Sequence, residues 1–513
     1  MNGKFALLVA AVGLCSDGNA TMRPAPAERP AAAAVDEAVM AREVLAAARG
    51  APRILCGLAA RAVEANYGFG PWTPPSDSSS TLRWALAHER ATGAVPVLLA
   101  GLADDDACVR ALAARLIADS KSPAATSGLL QAFGATSAGT RSAAAVAIGL
   151  GNVSSGLTPL IERLADTDAD VRTASAWALG GFNDARAVAP LRRVLSDATP
   201  AVRAEAAQSL GRLEDTTAVA ALSNLLRHDP DEHVRVAAAE ALGRIGARAG
   251  IPALSDAMGD TSAAVRRSAA WALGQLEVAE AVPGLTKATS DADREVREMA
   301  VWALGQLESH AAVPALAARL KLDSDNDVRA KAAWALGQIE DHSAVDPLVA
   351  ALHDDRDADV RTTAAWALGQ IEDKASVPGL VAALKDSSAD VRSNAAWALG
   401  QIGGNQAPAG LTDALKDHSS DVRQHVAWAL GQISDPATVP ALLAAIKDAD
   451  HDVVRTALWA LSQMDDDSAR DAFVELLRST DSQTRAAAAR ALGRGGVNPW
   501  PWPQPRPEPR PFP

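Results

Sequence analysis

An all-α, right-handed solenoid of about fourteen two-helix units is the fold this sequence predicts. Three observations predict it. One pattern recurs every 31 or 32 residues, apolar residues fall at helical spacing twice within each period, and the composition is rich in Ala with only 4% aromatic residues. Stacked units of this kind share one continuous core, so the 513-residue length does not divide into three or four separate domains. With 48% hydrophobic and 22% charged residues the chain is globular in composition. A formal net charge of −13 excludes a general nucleic-acid binder, which needs a basic surface.

The elements follow in chain order. Residues 1–20 read as a signal peptide: Lys4, the apolar "FALLVAAVGL" (5–14) and the small-residue "GNA" (18–20). The apolar run is too short to span a bilayer. It predicts export to a periplasmic or extracellular space, with a lipid anchor at Cys15 as the weaker reading. Cys56 and Cys108 remain after cleavage; they are able to pair in such a space, but burial of each as a small hydrophobe is the favoured reading. An Ala/Pro linker covers 21–35, a helical cap and a loop cover 36–75, and the repeats run from 76 to 495. The tail 496–513 carries Pro at every odd position from Pro499 to Pro513, which favours an extended polyproline II rod.

A recurrent slot serves as a ruler for the repeats. It falls at residues 84, 115, 146, 177, 208, 240, 271, 302, 334, 366, 397, 428, 459 and 490. Two places on stands Leu or Ile in all fourteen, three places on stands Gly in eleven, and nine places before stands Asp, Ser or Thr in thirteen. In 373–402, Val377, Leu380, Val381 and Leu384 mark a first helix with Pro378 near its start. Ser388 caps a second helix, and Asp390 suits the positive end of its dipole. Val391, Ala395, Leu399 and Ile402 make the apolar stripe. Each hairpin thus has a face that only stacking can bury.

Segments such as "DVRTTAAWALGQIEDKASVPGLVAALKD" (359–386) resemble HEAT repeats, in the short form associated with phycobilisome lyases. The resemblance implies a noncatalytic binding scaffold for a protein or extended peptide on the concave face. It also implies, as alternatives, a metal-dependent oxidoreductase or a phycobilin-lyase-like enzyme. A HEAT-type di-iron hydroxylase surrounds its metals with several His-Glu pairs, whereas this chain has only His88-Glu89. That pair belongs to "WALAHERAT" (84–92), where Thr92 stands in place of the second His of a zinc motif. No catalytic residue, metal ligand or cofactor is therefore assigned.

Two ladders remain. Arg stands five places before most slots, and slips to Arg455 in one unit, which predicts ion pairs between adjacent units. Trp fills the slot at Trp177, Trp271, Trp302, Trp334, Trp366, Trp397, Trp428 and Trp459. On the helical wheel Trp397 points roughly 120–140° away from the apolar stripe. Arg115, Gln208, Glu240 and Arg490 occupy the same slot elsewhere, so it touches water or a unit boundary. Either the rings lie over the next unit's second helix, or they show a face along the inner curve. In the second case they form candidate binding residues together with Gln338, Gln370 and Gln401, one helical turn on. Trp beside Gln suits an extended peptide, or a glycan stacked on the rings.

Overall fold

The computed structural model describes residues 37–49, 93–120, 122–464 and 470–493, and among these every regular element is a helix. The signal peptide, the linker, most of the 36–75 segment, the unit of slot 84 and the Pro-rich tail lie outside the described residues. The thirteen later second helices all form, beginning with Ala107–Ala118 and ending with Ser482–Leu492. The fold is an all-α solenoid. It divides into two compact units, 1–257 and 258–512.

Each unit contains the same construction. In the first, Ala138–Leu150, Ala169–Gly180, Pro200–Arg212 and Glu232–Ile245 pack side by side as one layer. Shorter helices such as Leu157–Arg163 and Val188–Val194 form the other layer. Glu37–Ala48 packs on Ala94–Gly101 and Ala107–Ala118, closing the described start of this stack. In the second, the layer runs from Ala263–Gln275 through Asn326–Ile339 and Ala389–Ile402 to Ser482–Leu492. The invariant Leu/Ile position lies in the core, with Leu179, Leu273, Leu368 and Leu430 fully buried.

All thirteen described positions nine before the slot are N-caps in extended conformation. The Asp caps bond the first turn, as Asp357 does to the Asp359 and Val360 amides. Thr199, Ser262, Ser388 and Ser419 make no such side-chain bond, so Ser388 marks the helix start without capping it through its hydroxyl. The Ser388 amide donates instead to Asp386, one unit of a larger network.

That network is the Arg ladder. Nine Arg residues, from Arg141 to Arg423, donate through Nε and Nη2 to both oxygens of one carboxylate in the next unit's turn, at 2.7–2.9 Å. The Nη1 group of Arg392 also donates 2.9 Å to the Asp386 carbonyl of its own turn. Each Arg therefore ties two consecutive turns. The pairs are largely buried, with Arg329 and Asp355 at 6% and 9% side-chain exposure, and each is bidentate, which fixes its geometry more tightly than an exposed single contact would. The slipped Arg455 reaches Asp481 only at 3.6 Å, while Val454 fills its former place in the core.

Units join through a residue in the left-handed region six places after the slot, for example Glu340 at φ 54° and Glu372 at φ 53°. A short 3-10 turn follows, often capped by Asp, as Asp341 and Asp373 do. One unit departs from the expected hairpin. Between Gly403 and Asp417 the first helix is replaced by the 3-10 segment Thr412–Lys416. Gly403, Gly404 and Gly410 adopt φ of 63°, 137° and 95° there, a path closed to a continuous helix.

The ladder carboxylates are held below their usual range. The Arg141 guanidinium keeps Asp166 at about 2, and partner guanidiniums are the leading cause for Asp291, Asp417 and Asp448. The unfolded chain takes up protons first, at about pH 4, so the ladder's stabilisation is complete above that value. It is lost as pH falls from about 4 towards 2. We expect the melting temperature, followed by circular dichroism, to be flat from about pH 7 to 5 and to drop below about 4. A flat profile down to about pH 2.5 would show that the ladder adds nothing.

Candidate functional site

The tryptophans lie where successive second helices touch. A methyl group placed on Gly369 would lie 2.5 Å from Trp397 Cζ3 and 2.9 Å from the Ala398 backbone. The same relation joins Gly149 to Trp177, Gly274 to Trp302, Gly305 to Trp334, Gly337 to Trp366, Gly400 to Trp428 and Gly431 to Trp459. Each of these rings thus lies against the glycine of the preceding unit's second helix. Where the slot holds Gln208, Gly180 instead meets Ser209 and Arg212, and Arg212 pairs with Glu205 at 2.8 Å.

Burial divides the candidate residues. Trp366, Trp397 and Trp428 are 8%, 3% and 6% exposed, and present almost no ring to solvent. Trp177, Trp271, Trp302, Trp334 and Trp459 are half-buried. Gln338, Gln370 and Gln401 are half-buried too, whereas Gln275, Gln306 and Gln432 are exposed. Trp177 belongs to the first compact unit and all the others to the second. Three rings are therefore seam residues, and the solvent-facing part of the ladder is carried by the polar positions around them.

Sequence reading missed those other positions. Seven places before the slot stand Glu295, Asp327, Asp359, Asp390, Asp421 and Asp452, all exposed. They share a helix face with the slot and with the Gln four places on, because steps of seven and four residues return to one side of a helix. Asp390 had an adequate explanation as a dipole partner, which hid the row. Between them lie Thr363, Asn394 and His425, three places before the slot. His425 Nδ1 sits 2.8 Å from the Asp421 carbonyl and 2.6 Å from Ser393 Oγ, and burial lowers its pKa. Upstream the face is internally neutralised. Arg294 bonds Asp325 and Asp327, Arg267 pairs with Glu295, and Lys331 pairs with Glu298. Burial, then Arg294, pulls Lys331 down to about 7, but the touching Glu298 carboxylate favours its charged form.

A family described as HEAT repeats matches residues 157–240, 219–292, 282–369, 345–421 and 408–493, more than half of the chain. The chain belongs to the HEAT-repeat family. Among solved structures, its HEAT units are similar to those of an engineered protein at 24% identity, over 66% of this chain and 98% of that one, with a TM-score of 0.38. Kap121p is 14% identical, over 86% of this chain and 58% of its own length, with a TM-score of 0.50. Human deoxyhypusine hydroxylase in complex with glycerol is 25% identical over 50% of this chain, with a TM-score of only 0.24. No curated protein matches the chain. Among the described residues of this HEAT protein, no three His, Cys, Asp or Glu side chains cluster as metal ligands, and no helix is long and apolar enough to cross a membrane. Cys108 is disulfide-bonded, which corrects its reading as a buried free thiol; its partner lies outside the described residues.

The seam sets two contrasts. Gly369→Ala overpacks against backbone and is expected to cost about 1–3 kcal/mol. Gly284→Ala, in helix Val282–Ala288 with open space around it, should be neutral or stabilising by up to about 1 kcal/mol. Urea midpoints of the two variants against the parent decide this, and equal shifts would deny the seam its special packing. Likewise Trp397→Ala should cost about 3–5 kcal/mol, while Gln401→Ala should stay within about 0.5 kcal/mol. A Trp397→Ala protein as stable as the parent would mean that the ring is there for a ligand alone.

Proposed function

We propose that the protein is an exported, noncatalytic scaffold that holds a partner protein or extended peptide along its second helices. One observation carries the reading. Residues 294–463 repeat the same set on each second helix: an exposed acid seven places before the slot, the slot residue, and a Gln four places after it. Core packing does not require that repetition. The apolar stripe and the Arg ladder already specify the stack, yet Gln recurs at 275, 306, 338, 370, 401 and 432. A regular row of amides offers donors and acceptors at even intervals, which suits the main chain of an extended segment.

The half-buried Trp271, Trp302, Trp334 and Trp459 supply flat apolar area beside those amides. A glycan stacked on rings fits less well, because the three buried indoles expose no face for a sugar. Export rests on Lys4 and the apolar run 5–14, and the disulfide at Cys108 suits an oxidising space.

Photo-cross-linking in the source cell tests the proposal. A benzophenone amino acid placed at Gln338, Gln370 or Gln401 should give a discrete heavier product in each case. The same group at exposed Ala382, on a first helix, should give none. Equal labelling at all four sites, or none at the Gln positions, would remove the second-helix face as a docking surface.

A further inference from the structure

Three adjacent second helices differ from the rest. On Ala358–Ile371 the positions on the slot's side of the helix are Asp359, Thr362, Thr363, Trp366 and Gln370. On Ala389–Ile402 they are Asp390, Ser393, Asn394, Trp397 and Gln401, and on Ser420–Ile433 they are Asp421, Gln424, His425, Trp428 and Gln432; the three Asp and Gln432 are exposed, while Thr363, Ser393, Asn394 and the three Trp are buried. No Lys or Arg stands among these fifteen positions. Arg361, Arg392 and Arg423 bond the Asp386, Asp417 and Asp448 turns instead. Asp359, Asp390 and Asp421 are exposed and make no ion pair, unlike Asp327 and Glu295 upstream or Asp452, which pairs with Arg455, downstream.

A second observation points the same way. Asn394 is 5% exposed, and its Nδ2 donates 2.9 Å to the Asp390 carbonyl, which fixes the amide and leaves Oδ1 without a partner. It stands four residues after Asp390 and three before Trp397, on the acidic face. In the next unit His425 occupies the equivalent place, and its Nε2 is likewise buried and unpartnered. With Nδ1 donating to the Asp421 carbonyl, the neutral ring presents Nε2 as an acceptor. The three exposed carboxylates therefore stand without a Lys or Arg partner, and two acceptors on the same helices are buried without a donor.

Resting on the scaffold reading above, we propose that this patch binds an extended segment carrying Arg or Lys at every third residue. Spacing selects the pattern. Packed helices stand about 8–10 Å apart, so the carboxylates recur at that interval. A polyproline II chain rises about 3.1 Å per residue with three residues per turn, which brings every third side chain to one face about 9 Å apart. A β-strand does not do this, since its third residue points to the opposite face. Guanidinium or ammonium groups at that period meet one carboxylate per unit, while the Gln row bonds the exposed carbonyls of the segment.

The test uses two peptides of equal composition and charge, (Arg-Pro-Pro)4 and a block form with its four Arg residues together, titrated into the full chain by fluorescence anisotropy. The periodic peptide should bind more tightly than the block peptide. Binding should weaken about tenfold in Asp359→Asn/Asp390→Asn/Asp421→Asn. It should change less than about twofold in the control Asp105→Asn/Glu162→Gln/Asp346→Asn, which removes the same charge from exposed acids elsewhere. Equal affinity for both peptides, equal weakening in both triple variants, or no binding would overturn the proposal. A chain that fails this test yet still cross-links a partner at Gln401 retains the scaffold function and loses only the cationic specificity.

Discussion

Second helices in this protein approach until a glycine of one unit faces the tryptophan and alanine backbone of the next. The rest of the stack depends on that contact. A side chain at the glycine position would push the helices apart, and the leucine core beneath them, already fully buried, would open with them. The small residues that make the composition look aromatic-poor are what let the helices come together. The large indole then packs against that glycine.

The Arg ladder acts on the other edge of the same helices. Each guanidinium is held by its own turn's carbonyls and by the next turn's carboxylate, so it fixes the offset between units as well as joining them. Apolar contacts set distance but not register, since a stripe of Ala and Leu can slide. A planar fork meeting two oxygens cannot slide without losing both bonds. The seam and the ladder therefore divide the task, one governing separation and the other alignment. That division explains how the unit between Gly403 and Asp417 survives the loss of its first helix: its second helix keeps both contacts, through Gly400 with Trp428 and Arg392 with Asp417.

With structure secured at the core and along the ladder edge, the remaining face of the second helices is free to vary. It does so in a graded way. Around Arg294 and Lys331 the acids are matched by cations of the same protein, whereas over the helices from 358 to 433 they are not. A face that is neutralised in one stretch and left acidic in the next is a local property laid over a uniform scaffold. It is the kind of difference by which a repeat protein distinguishes one segment of a partner from another.

The amino-acid sequence by itself determined the unit length, the helix starts, the invariant Leu/Ile core position and the pairing of Arg with the neighbouring turn. All of these are written in spacing, and spacing along a helix translates directly into faces. It did not determine which way the indoles fold, which of them are sealed, or which acids lack a partner. A wheel places a side chain on a face but does not say what the adjacent helix brings against it. Trp397 and Trp302 occupy one slot, yet the first is buried and the second half-buried. Asp390 and Asp327 share another, yet only Asp327 has an Arg within reach. Those outcomes depend on side chains about thirty residues away, and only the tertiary structure brings them together.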